Sequence, residues 1–129
     1  MKLLLDTHVW IWTQLATNKL SAKVKRALEN GANEVWLSPV SMWELVLLVE
    51  KRRVELDRQV GEWITKAAAP LKEAPLTAEI ALEAARFSLP HDDPADRLLV
   101  ATARSLGLTL VTSDARLLAS NVVPALSNK

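Results

Sequence analysis

The sequence contains no cysteine. That excludes a disulfide-stapled scaffold, a thiolate metal site and a cysteine nucleophile. It also agrees with a reducing, intracellular setting. Glycine is scarce, and the three glycines, Gly31, Gly61 and Gly107, are isolated from one another. Neither a dinucleotide-binding glycine loop nor a P-loop can be built from them, so a Rossmann dehydrogenase and an NTPase are disfavoured. An excess of one charge is missing too. Sixteen basic and fifteen acidic side chains leave a net charge of +1. A nucleic-acid binder that relies on bulk electrostatics usually carries a larger basic surplus. Any contact with nucleic acid must run through a local patch or a metal. Long apolar runs are absent as well. The longest is Leu45–Val49, against about 18 residues for a membrane span. Leu3-Leu4-Leu5 begins like a signal peptide, but Asp6 interrupts it. The expectation is a soluble, cytoplasmic protein that does not meet a membrane.

What is present suits a single domain over residues 1–129. Half the residues are apolar and 24% are charged, so a sizeable core can form and disorder is disfavoured. Leu3–Leu5 reads as a buried strand and 7–16 as a helix. Ser21 caps a helix with Val24, Ala27 and Leu28 inward, and Gly31 ends it. Val35–Leu37 is a second strand, broken at Ser38-Pro39. Helices follow over 41–51, apolar almost all round, and over 57–69. Leu71–Leu76 reads as an edge strand, because Pro75 cannot donate to a ladder. Thr77 caps a helix to Phe87, and 89–93 is a loop. Pro94 opens a helix over 94–106 that Gly107 closes. Leu108–Thr112 is a strand, a short helix follows Asp114, and Val122-Val123 is a last short strand. The alternation predicts an α/β sandwich with a mostly parallel sheet of four or five strands. Such sheets bind ligands beyond the carboxyl ends of their strands, at a topological switch point.

Four acids fall at strand-to-helix junctions: Asp6, Glu44, Asp96 and Asp114. Each has a plain structural reading. Asp6 and Asp114 can be N-caps. Ser41 and Glu44 have capping-box spacing. Asp93, Pro94 and Asp96 fit a cap, a first-turn proline and a dipole-favoured acid. Two features favour a joint role. Glu44 lies in the most apolar helix, between Trp43 and Leu45, where a carboxylate is costly without a partner. Asp96 opens another helix that reads as buried. Several carboxylates brought together repel, and protonation or a bound cation relieves the repulsion. All-oxygen ligands select a hard ion such as Mg²⁺ or Mn²⁺. Such an ion serves phosphodiester hydrolysis, and it lets a near-neutral protein act on RNA.

Four segments then resemble a known family. Leu3-Leu4-Leu5-Asp6-Thr7-His8, Ser38-Pro39-Val40-Ser41-Met42-Trp43-Glu44, His91-Asp92-Asp93-Pro94-Ala95-Asp96-Arg97 and Leu110-Val111-Thr112-Ser113-Asp114 are similar to the four acidic motifs of PIN-domain ribonucleases. The nearest likeness is to VapC-type toxins of toxin–antitoxin pairs. It spans nearly the whole chain, in motif order. The resemblance implies a three-layer fold, a sheet ordered 3-2-1-4-5, and a Mg²⁺- or Mn²⁺-dependent endoribonuclease. It also implies a homodimer neutralised by a small antitoxin. By motif position Asp6, Glu44, Asp96 and Asp114 are the acidic quartet, both catalytic and metal-ligating. Asp6 and Asp96 are the first choices as ligands. Glu44 completes the site or orients the water, Asp114 is often an outer-shell residue, and Asp93 reads as a cap.

Other residues have weaker claims. Thr7, Thr112 and Ser113 can bond the acids, phosphate or helix ends. His8 and His91 can act as acid or base, though a lone histidine is more often a surface or packing residue. Lys51-Arg52-Arg53 with Arg58, and Lys23-Lys25-Arg26, can meet phosphates or simply face solvent. Arg97 is the first choice for orienting substrate or an acid, and it can equally pair with Asp93. Trp36 and Trp43 read as core, whereas Trp10 and Trp12 cannot both be. An exposed tryptophan, or the broad face of helix 41–51, can serve a dimer or antitoxin interface. Two other functions compete. One is a phosphatase with Asp6 as nucleophile, weakened because His8 stands where that pattern wants a second aspartate. The other is a non-catalytic partner-binding module.

Overall fold

A computed structural model of the chain describes residues 1–86, 88, 89 and 93–129. Phe87, Pro90, His91 and Asp92 lie outside the described residues, so the expected end of one helix and most of the loop over 89–93 do too. The elements run β1 (Lys2–Leu5), α1 (Thr7–Leu15), α2 (Ala22–Glu29), β2 (Glu34–Leu37), α3 (Pro39–Glu50), α4 (Val60–Ala68), β3 (Lys72–Glu73), α5 (Ala78–Arg86), α6 (Pro94–Leu106), β4 (Thr109–Thr112), α7 (Ala115–Ser120) and β5 (Ala125–Ser127). A short 3₁₀ turn, Thr17–Lys19, follows α1.

The five strands form one sheet in the order β3-β2-β1-β4-β5. Every pairing is parallel. β1 lies in the middle, with Leu4 opposite both Trp36 and Leu110. The leucine run of β1 shows why the sheet needs two layers of helix. Side chains alternate across a strand. Leu3 and Leu5 pack into one core with Val9, Trp10, Val24, Leu45 and Trp63. Leu4 packs into another with Leu99, Val100, Leu110 and Leu117. A strand buried on both faces reads as a continuous apolar run, which this one does. Trp10 is fully buried and meets Trp63 edge-on, with ring centroids 5.7 Å apart. Ile80 and Ala84 fasten α5 to Ala101 of α6.

Several boundaries differ from the sequence reading. The third helix starts at Pro39, not 41, because Ser38 is its cap and accepts a bond from the Val40 N–H at 3.0 Å. Proline at the first helical position has no amide to leave unpaired. Glu44 therefore lies in the second turn, and Ser41 with Glu44 is no capping box. The fourth helix starts at Val60, with Gln59 as its cap. The edge strand β3 keeps only Lys72 and Glu73 of the expected 71–76. The last strand lies at Ala125–Ser127 rather than 122–123. There the Pro124 carbonyl accepts from the Leu110 N–H at 2.9 Å and leads the chain into the sheet. Trp43 is 58% exposed, not core. Trp36 is partly buried, and the ammonium of Lys72 lies over its ring. Other caps stand as read: Ser21 on α2, Thr77 on α5, and Asp93 on α6 with Gly107 left-handed at the far end.

Candidate functional site

The strand order reverses direction at β1, so the switch point falls between β1 and β4, where parallel sheets leave a crevice. Asp6 ends β1 and Asp114 follows β4, both at that edge. The Asp6 N–H is held by the Val111 carbonyl at 2.9 Å, which fixes one strand end to the other.

Asp6 occupies the cap position of α1 but makes no side-chain cap bond. Its carboxylate turns inward instead, and its Oδ2 accepts from the Thr112 hydroxyl at 2.6 Å. It is 8% exposed. Burial pushes its carboxyl above the ordinary value, and the charge of Asp114 adds to this. The Thr112 bond, His8 and the Thr7 backbone oppose the rise without cancelling it. A cap in contact with water shows none of this.

Glu44 is half-buried and is bonded by the Thr7 hydroxyl. Thr7 also lies 2.9 Å from the Ser41 hydroxyl. An ionised Glu44 can only accept, so the single Thr7 hydrogen points to it. Burial raises the Glu44 carboxyl, and so do the charges of Asp6, Asp93 and Asp96, while the Thr7 bond pulls it down. Three carboxylates, one at the end of β1 and two at the start of α6, thus act on Glu44 at once. Asp96 is buried in the first turn of α6. Asp93 caps that helix, accepting from the Ala95 and Asp96 N–H groups.

Asp114 is different. It caps α7 by accepting from the Arg116 N–H at 2.8 Å. Burial acts to raise its carboxyl, but the Arg116 side chain and amide bonds outweigh it and leave it below the ordinary value.

One cavity of about 450 Å³ gathers these groups. Asp6, Glu44, Asp96 and Asp114 all line it, together with Asp93. His8, Trp12, Ser113 and Arg116 complete the described wall. A second cavity of about 490 Å³ holds one acid, Glu34, already bound by Lys72 at 3.0 Å. Size does not choose between the two cavities, but chemistry does.

The donors around the first cavity are oxygens, which suits a hard divalent ion. As placed, no three acid or imidazole side chains among the described residues are close enough to hold one ion. Holding an ion would require the carboxylates to come closer together. Their mutual repulsion opposes that approach in the absence of a cation.

Other candidates are placed as follows. Thr7 and Thr112 bond the acids, and Ser113 and the exposed His8 line the cavity. His91 lies outside the described residues. Arg97 is not among the residues lining the cavity, and its Nε is buried without a hydrogen-bond partner. Its contact with Asp93 is between backbones, at 3.1 Å. Arg58 pairs with its neighbour Asp57. Lys51, Arg52 and Arg53 are exposed beyond α3. Sequence reading missed Arg116 and Trp12 as lining residues. Arg116 carried a signal: it places a cation in the first turn of a helix, where the dipole disfavours one.

A parallel sheet with a cavity lined by Asp6, Glu44, Asp96 and Asp114, two of them buried, defines a class. Residues 3–121 match the PIN domain family, and the chain belongs to it. Ribonuclease VapC22 of Mycobacterium tuberculosis is 37% identical over 117 residues, 88% of either chain, which places this chain among the VapC proteins. The fold is that of VapBC2 from Rickettsia felis, solved with a DNA fragment from its promoter, at a TM-score of 0.76 and 15% identity over both whole chains. It is also that of VapBC-5 from Mycobacterium tuberculosis, a member of a family of toxin–antitoxin systems, at 0.61 and 19% identity over 98% of each chain.

Proposed function

We propose that this chain is a divalent-metal-dependent endoribonuclease and the toxin of a toxin–antitoxin pair. The observation that carries the reading is the convergence of Asp6, Glu44, Asp96 and Asp114 on one cavity. The raised carboxyls of Asp6 and Glu44 support it, because capping acids are stabilised in their charged form whereas these two are not. The relative named a ribonuclease supplies the substrate class.

Asp6, Asp96 and Glu44 would hold the ion, with Asp114 beside them. When bound, Mg²⁺ or Mn²⁺ supplies a water activated near neutral pH and a positive charge that screens the phosphate. Thr112 orients Asp6, and Thr7 orients Glu44. The RNA, a cognate antitoxin and a second copy of the chain are the partners of this reading.

Calorimetry with Mn²⁺, with cleavage of single-stranded RNA followed on the same samples, tests it. Binding accompanied by cleavage that chelation abolishes is the expected result. A folded protein that neither binds Mn²⁺ nor cuts RNA is instead a binding module. Phosphate trapped covalently on Asp6 would make it a phosphatase.

A further inference from the structure

The cavity is short of positive charge for a site that must receive a polyanion. Among its described lining residues, Arg116 alone is cationic at every working pH. Its side chain is 60% exposed, yet its guanidinium has a defined place. Nε lies 3.5 Å and Nη2 3.4 Å from the Asp114 carboxylate. These are long contacts, and an exposed pair of this kind adds little to stability. They orient the group rather than secure the fold.

The orientation is passed along a short chain of bonds. The Asp114 N–H donates to the Thr112 hydroxyl at 3.0 Å, and that hydroxyl bonds Asp6. The Asp114 backbone is thereby tied to the acid at the end of β1, and Arg116 lies against the Asp114 carboxylate. Asp114 engages only the Nε and Nη2 side of the guanidinium. The five N–H donors of arginine form a planar fork, so the Nη1 side remains for a second oxyanion.

Resting on the ribonuclease reading, we propose that Arg116 binds a backbone phosphate of the RNA at the cavity mouth, and that Asp114 is its positioning partner. The strand would then lie against the acids at a set register, with the scissile phosphate over the carboxylates and a neighbouring phosphate on Arg116. Asp114, used twice within the fold, acts through Arg116 rather than as a metal ligand.

The test is steady-state cleavage of a single-stranded RNA with Mn²⁺ by the wild type and by Arg116→Ala, Arg116→Lys and Asp114→Ala, over a range of salt. Arg116→Ala is expected to raise KM about tenfold with kcat within about twofold. The slope of log KM against log salt should fall by about 0.7, the value of one phosphate contact on a single strand. Arg116→Lys should recover part of KM and the full slope. Asp114→Ala should match Arg116→Ala in KM, keep Mn²⁺ affinity, and add nothing to it in the double variant. Anisotropy of labelled RNA on Asp96→Asn protein, with and without Arg116→Ala, reads binding directly. Unchanged KM, slope and anisotropy in Arg116→Ala, beside an active wild type, overturn the assignment and leave the ribonuclease reading standing. Loss of Mn²⁺ binding in Asp114→Ala overturns the positioning role. A wild type that neither binds nor cuts RNA removes both readings.

Discussion

Replacing Asp96 by asparagine is expected to lower kcat for RNA cleavage by about a thousandfold or more, with the protein still folded. A metal ion stabilises several kcal/mol of developing charge in phosphoryl chemistry, and each 1.36 kcal/mol is a factor of ten. Asp96 is a buried acid in the first turn of α6, and its charge reaches Glu44 across the cavity. Asparagine keeps its size and its place in the helix. The cap of α6 is Asp93, so the substitution leaves the helix start intact. Mn²⁺ titration should show weakened binding in step with lost cleavage, and circular dichroism should show an unchanged fold. An active Asp96→Asn enzyme would remove Asp96 from the site. An unfolded one would return it to a structural role, and Glu44→Gln would then have to carry the same test.

The second large effect concerns stability. Asp6→Asn is expected to make the metal-free protein more stable at pH 7, by about 1–2 kcal/mol, or roughly 3–8 °C in Tm. The Asp6 carboxyl is raised in the folded state by burial. Between the ordinary carboxylate value and that raised one, the folded protein holds a proton the unfolded chain has lost. Stability therefore falls as pH rises through that window. Below the ordinary carboxylate range the group is protonated in both states, and the cost disappears. Glu44, also raised, acts in the same direction. Asp114 is lowered, so its contribution is lost only on further acidification. The metal-free wild type should thus gain stability from Asp6 and Glu44 as pH falls from 7 towards the ordinary carboxylate range, and the advantage of Asp6→Asn should close over the same range. The asparagine oxygen still accepts from Thr112. Saturating Mn²⁺ should reverse the order at pH 7, because it stabilises the state that binds it by about 2.7 kcal/mol at a hundred times Kd. A metal-free Asp6→Asn protein less stable than wild type at pH 7 would show that charge at Asp6 is already compensated.

Much of this site is legible in the order of residues. Leu3-Leu4-Leu5-Asp6 announces a doubly buried strand with an acid at its end, and both halves of that statement hold. Pro94 and Gly107 bracket α6 because their backbone preferences are local. What was not legible depends on choices between equivalent local partners. Ser38 and Ser41 are both good caps, and the buried Ser38, with Pro39 behind it, takes the role while Ser41 is buried inside the helix against Thr7. The apolar character of α3 suggested that Trp43 is buried, yet a helix that is apolar all round must still turn one side outward in a small domain. Val122-Val123 has the stronger β preference, but pairing with β4 selects Ala125–Ser127. The place of Arg116 depends on a cavity that no local pattern shows.

The central position of β1 has a kinetic consequence. Its amides and carbonyls pair with β2 on one side and β4 on the other, and the Asp6 N–H belongs to the same ladder. Groups in the middle of a sheet exchange their hydrogens only when the whole domain opens, while edges and termini open locally. The amide that fixes Asp6 therefore belongs to the slowest-exchanging class, with those of Leu4 and Leu5. The backbone beneath Asp6 is therefore expected to loosen only with the fold as a whole.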